Sequence, residues 1–250
     1  NLYLGGTANL HGGTIKGGSA VDGGNIYALS GSTLNVHEGF VIEDGNATKY
    51  GGNLRLYGTL NLQGGAIQNG TCALNGGNIY SNSGSVINMT SGSITGGWGK
   101  SQTGNIHCCG TLNMSGGEIT GGKTGSSGIT TAVGRDIAFV NGTLNYTGGR
   151  LDSLRGTNYN SDGREGGCVL NLGGTLDIGA ISLGSYDDKD DDGNTPTAPL
   201  LNITGAVSGS VSYIATAEGI FAQGSGYTLT YEAKSWFTGD GCQIAFMDGK

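Results

Sequence analysis

The chain has little positive charge, no long apolar run and no paired-cysteine motif, and each shortage removes a class of protein. Only 12 Lys and Arg stand against 19 Asp and Glu, a formal net charge of −7. A groove tracking phosphates is not expected, and nucleic acid is a poor partner. No apolar stretch approaches the roughly 18 residues that a spanning helix needs. The five cysteines, Cys72, Cys108, Cys109, Cys168 and Cys242, are odd in number and include no Cys-x-x-Cys pair. They read as buried thiols packing as small hydrophobes rather than as a disulfide framework. In a surface protein that suits an anaerobic setting. Nor is there an uninterrupted segment of helix length, and the apolar pattern has period two, which excludes an α-solenoid.

What is present is a repeat. Short runs of apolar-Asn-apolar type recur at Ala8-Asn9-Leu10, Leu34-Asn35-Val36, Leu60-Asn61-Leu62, Ile87-Asn88-Met89, Leu112-Asn113-Met114 and Leu144-Asn145-Tyr146. Leu176-Asp177-Ile178 and Leu201-Asn202-Ile203 extend the series, with spacings between central residues of 26, 26, 27, 25, 32, 32 and 25. A second apolar position follows at Ile15, Val41, Ile67, Ile94, Ile119, Leu151, Ile181 and Val207, and a third precedes at Ile26, Leu54, Ile79, Ile106, Ile137 and Val169. Three short strands per coil, closed by glycine corners, predict an all-β fold: a right-handed, single-stranded parallel β-helix of about eight or nine coils. Leu34 and Val36 should point inward while Thr33 and Asn35 point outward. The 53 glycines among 250 residues fall in phase with the repeat, as at Gly12-Gly13, Gly64-Gly65 and Gly116-Gly117, which disorder does not require.

Residues 1–250 are expected to form one elongated domain. The last residues resemble the first strand of a further coil, so the chain reads as a piece of a longer protein with neighbouring domains.

The repeat resembles the right-handed parallel β-helix proteins of the pectate-lyase-like class, above all the glycine-rich repeats of bacterial cell-surface and secreted adhesins. Gly51-Gly52-Asn53-Leu54, Gly64-Gly65-Ala66-Ile67 and Gly76-Gly77-Asn78-Ile79 also look like the Gly-Gly-x-Ile repeats of chlamydial polymorphic outer-membrane proteins. The resemblance covers roughly residues 1–210. It implies extracellular or bacterial cell-surface display and binding; the function expected is that of a non-enzymatic adhesin module whose partner, a host glycan or host protein, is suggested by the loop residues that follow.

Departures from the repeat mark the candidate sites. Excursions at 123–135, 152–167 and 185–197 are expected to leave from one corner and lie side by side. With the preceding coil they gather Trp98, Arg135, Arg155, Tyr159 and Arg164, aromatics and guanidinium groups suited to a glycan or protein surface. Asp188, Asp190 and Asp192, followed by Gly193, have the spacing with which a calcium loop gathers oxygen ligands. Position twelve, counted from Asp188, is Pro199 rather than a bidentate Glu. A glycan-cleaving hydrolase or lyase is the enzymatic alternative, with Asp162 and Glu165 as its carboxylates, and a passive spacer is the structural one. Glu118 and Arg150 share a phase and read as an ion pair. His11 and His37 also share a phase, but the next position is Gln63, so two exposed imidazoles are favoured over zinc. The outward Thr-x-Asn row raises a crystal-ordering face, which Val86 interrupts.

Overall fold

The structure is a computed structural model that describes residues 1–125, 136–157, 167–183, 200–216 and 222–224. Every regular element among them is a strand, and every pairing is parallel and links one coil to the next. The chain is a parallel β-helix, as the repeat predicts. About six turns can be followed from corner to corner. That is fewer than the eight or nine expected.

Four ladders run along the rod. The first joins Leu2–Leu4, Ile26–Ala28, Leu54–Leu56, Ile79–Ser81, Ile106–Cys108 and Ile137–Val140. The second stacks the Asn strands, beginning with Thr7–Leu10 and Thr33–His37. The third begins with Gly13–Lys16 and Phe40–Glu43. A fourth, short ladder was not legible in the sequence: Ser19–Asp22, Asn46–Tyr50, Thr71–Cys72, Trp98–Gly99 and Lys123–Thr124. Three of its five strands have only two residues, too short to show an alternating pattern.

The interior is a column of aliphatic side chains. Leu34, Leu60, Ile87, Leu112, Leu144, Leu170 and Leu201 occupy one register and are at most 1% exposed. This corrects the expected repeat at one rung. Asn171, not Asp177, pairs with Asn145 and Asn202, and the spacings become 26, 26, 27, 25, 32, 26 and 31. Leu176-Asp177-Ile178 sits instead on the third side, with Ile178 opposite Leu151. The third side itself runs through Ile42, Ile178 and Val211 rather than Val41, Ile181 and Val207. Both candidates in each case satisfy a period of two, and a slip of one residue exchanges inside for outside. In the first ladder Leu154 follows Ile137, while Val169 lies in the Asn strand opposite Thr143.

That last correction relocates the excursions. The strand Arg150–Thr157 passes from the third ladder directly into the first, so this coil has no fourth side. The chain leaves the ladders at Gly125 and returns to the first at Ile137. It leaves the first ladder after Thr157 and again after Leu183, returning each time to the second. Two corners are involved rather than one, and 152–157 is strand.

A second asparagine series lies inside. Asn25, Asn53, Asn78 and Asn105 stand just before the first ladder, are 0% exposed, and each donates from Nδ2 to the next Oδ1 at 2.7–2.9 Å, ending on Asp136. Each amide also accepts from a glycine N–H and donates to a strand carbonyl of the preceding side. For Asn53 the partners are Gly45 N and Gln68 O, both at 2.8 Å. All the hydrogen-bonding capacity of a buried amide is thereby used. The corner demands glycine on both counts: Gly51 has φ 63°, and a Cβ on Gly52 would collide with Gly77 O.

Leu112→Ala should cost roughly 2–5 kcal/mol in denaturant unfolding. Asp177→Ala, on an exposed side chain, should stay within about 0.5 kcal/mol. Asn78→Ala should cost about 3 kcal/mol or more, since it orphans buried partners on both neighbouring coils. Asn88→Ala in the outer series should cost about 1 kcal/mol or less. Equal losses for Asn78 and Asn88 would refute the distinction between buried and outer rows.

Candidate functional site

The outward side chains of the first ladder form a column distinct from the rest of this acidic chain. In register they are Tyr3, Tyr27, Arg55, Tyr80, His107, Ala138 and Arg155. None is a carboxylate. Alternation turns them away from the aliphatic interior, and parallel in-register pairing stacks them, with Arg55, His107 and Ala138 covered to 7%, 5% and 3% exposure. The Tyr3 and Tyr27 rings lie 5.5 Å apart at 15°, and the Tyr80 ring lies 4.6 Å from His107.

Arg55 is the centre of this column. Its guanidinium carbon sits 4.0 Å from the Tyr80 ring centre, 4.9 Å from Tyr50 and 5.2 Å from Tyr57. Nη2 donates to the Tyr57 hydroxyl at 3.2 Å, whereas Nε and Nη1 are buried with no acceptor. The rings supply part of the stabilisation that a carboxylate would otherwise give. His107, 5% exposed, is pushed down to about 3, first by burial and then by the positive charges of Arg155 and Arg55. It is neutral at physiological pH and does not act there as a cation.

Of the expected binding residues, the structure describes Trp98 and Arg155. Trp98 belongs to the fourth ladder, where its Nε1 donates to Gly125 O at 2.8 Å and Lys100 Nζ lies 5.4 Å from its ring. Arg155 stands on the first ladder, and its Nε donates to Thr157 Oγ1 at 3.1 Å. The two thus occupy adjacent sides of the rod, on different coils. Arg135, Tyr159 and Arg164 lie outside the described residues, as do Asp162 and Glu165, the calcium candidates Asp188, Asp190 and Asp192, and Cys242. The column of Tyr27, Arg55, Tyr80 and His107 was missed. Its signal was available as the residue after the first aliphatic of each coil.

Several carboxylates are engaged in structural contacts. Glu43 and Asp44 both face Lys16 Nζ, at 3.1 and 3.3 Å, and Gln68 also donates to Glu43. Gln68 and Lys16 together hold the Glu43 carboxyl below its ordinary value. Arg150 pairs at 3.1 Å with Asp152, two residues along its own strand, although Glu118 is its register partner. The His11 and His37 rings stack at 4.0 Å, and among the described residues no group of three or more His, Cys, Asp or Glu is placed to hold a metal ion. Cys72, Cys108, Cys109 and Cys168 are buried, as expected, and burial pushes the thiols of Cys72, Cys108 and Cys168 up to about 12. They are packing groups rather than nucleophiles.

The outer asparagines, Asn9 to Asn202, form eight rungs joined by seven side-chain bonds of 2.7–2.8 Å. With the neighbouring Thr row they make an uncharged, half-exposed strip, as the alternation predicts.

Fold and surface together define a parallel β-helix repeat protein, with an aromatic and guanidinium column on one side. Comparison with family models, with curated proteins and with solved structures finds no match. No helix among the described residues is long and apolar enough to cross a membrane.

Proposed function

We propose that this rod is a non-enzymatic module of the adhesin type, displayed on a bacterial surface or secreted, that binds a host glycan or host protein. The observation that carries the reading is the outward column of the first ladder. Rings and guanidinium groups are held there at a regular rise, without a carboxylate among them, in a chain of net charge −7. Tyr and Arg are the side chains that contribute most per residue to recognition surfaces. The stacked backbone fixes their spacing before any ligand arrives, which lowers the ordering cost of association. Arg155 belongs to this column, and Trp98 extends the surface onto the adjacent side. Arg135, Tyr159 and Arg164 are assigned to the same function by their place in the sequence.

Binding to glycan arrays and host extracellular proteins tests the proposal. Tyr27→Ala combined with Arg155→Ala should weaken a detected interaction at least tenfold while leaving the unfolding midpoint within a few degrees. Undiminished binding by that variant would remove the column from the proposal, and no binding to either class would favour a spacer. The same reading assigns calcium to Asp188, Asp190 and Asp192. Millimolar calcium, but not magnesium at matched ionic strength, should raise the melting temperature, and Asp190→Asn with Asp192→Asn should abolish the rise. Identical melts with and without calcium would refute this.

A further inference from the structure

Among the described residues, buried side-chain polar atoms without a hydrogen-bond partner occur on Asn82, through Oδ1, and on Arg55, through Nε and Nη1. Arg55 carries a full charge there. It is 7% exposed, and its guanidinium makes one hydrogen bond, from Nη2 to the Tyr57 hydroxyl at 3.2 Å. Tyr80, Tyr50 and Tyr57 surround it at 4.0, 4.9 and 5.2 Å from its carbon to their ring centres. The ion pairs among the described residues belong to Lys16 and Arg150, and none reaches Arg55. Asp22, whose charge is felt at Tyr27 and Tyr57, accepts instead from Tyr50 N at 3.2 Å. A buried cation in this state costs stability, and stacking does not require it, because Tyr27 and Tyr80 fill the same register position on either side.

We propose that Arg55 is the anchor for an oxyanion, carboxylate or sulfate, carried by a glycan laid along the first ladder. The inference rests on the adhesin reading above and supplies the charge class of its ligand. Tyr57 stands on the bend after Leu54–Leu56, is half-buried, and with its hydroxyl holds the place on Nη2 that an oxygen of the anion takes. Rotation of the Tyr57 side chain displaces that hydroxyl and lets the anion accept from Nη2 and Nε together, the bidentate fork to which a planar guanidinium is matched. Tyr80 stays stacked on the guanidinium, and the sugar ring lies against the tyrosines of the neighbouring rungs. Arg155 follows four rungs on, roughly 19 Å at about 4.8 Å per rung, within reach of the same oligosaccharide but not of the same anion. The net charge of −7 opposes an acidic ligand over the surface as a whole, which confines it to this column.

Calorimetric titration tests the anchor, with uronate-bearing and sulfated oligosaccharides each set beside the carboxyl-reduced or desulfated counterpart, and beside inorganic sulfate at matched ionic strength. A charged oligosaccharide should bind at least about tenfold more tightly than its neutral counterpart and than inorganic sulfate. Arg55→Met should bring its affinity down to that of the neutral form. The same variant should raise the unfolding midpoint of the free chain, since an apolar side chain replaces a buried cation without a counter-ion. Nitrogen NMR of the Arg55 Nε–H reads the wild type directly, so the result does not depend on a variant folding. Saturation with the charged oligosaccharide should shift that signal and slow its exchange with solvent. Charged and neutral forms bound alike, an unmoved Arg55 signal, or undiminished affinity in Arg55→Met would overturn the anchor and leave the adhesin reading standing. So would binding of a host protein with no charged glycan bound. Inorganic sulfate matching the oligosaccharide would reduce the site to a small-anion pocket and overturn the glycan. Binding of neither glycans nor host proteins would remove the anchor and the adhesin reading together.

Discussion

Burying an amide side chain is costly unless every donor and acceptor on it finds a partner, and the corner before the first ladder is built around meeting that demand coil after coil. Asn53 can satisfy both N–H groups and its oxygen only if Asn25 and Asn78 stand directly below and above it. It also needs the preceding glycine corner to bring Gly45 N and Gln68 O to it. Each coil is therefore held at one height and one rotation relative to its neighbours. The aliphatic interior supplies most of the driving force but little positional information, since Leu, Ile and Met fill the same column. The amide ladder supplies the register.

The outer asparagines repeat this bonding at lower stakes. They stay half-exposed, so water can replace a lost partner. Their polarity is also reversed: Asn35 donates back to Asn9, whereas inside Asn25 donates forward to Asn53. Two aligned rows of amide dipoles thus run in opposite directions along the rod, and within each row neighbouring bonds polarise one another. Where the inner row stops, the cross-section changes. The fourth ladder ends at Lys123–Thr124, and the next coil folds from three sides around Ser153 and Leu154.

Stacking also explains why a chain so poor in cations presents them in a column. One outward position per coil is repeated along the axis, so a few substitutions at that position concentrate Arg55 and Arg155, with the neutral His107 and the tyrosines between them, on one side. No loop is needed to position them. The stiffness that fixes the core extends to the surface.

The sequence by itself determined the architecture: a row of aliphatic residues at intervals of about one coil and outward Thr and Asn between them, because these depend on periodicity alone. It could not decide between Leu170-Asn171-Leu172 and Leu176-Asp177-Ile178, or between Val41 and Ile42. Each pair satisfies alternation equally well, and only backbone pairing along the whole stack selects one. Gly-Gly-Asn was legible as a corner. That its asparagine points inward was not, since a polar residue beside glycine ordinarily faces water, and its burial follows only when neighbouring coils supply the partners. The position of the excursions was likewise decided by tertiary structure, because the loss of the fourth side at Ser153-Leu154 leaves no mark in the spacing. It is the closure of each coil on the one beneath that converts a repeating pattern into inside, outside and corner.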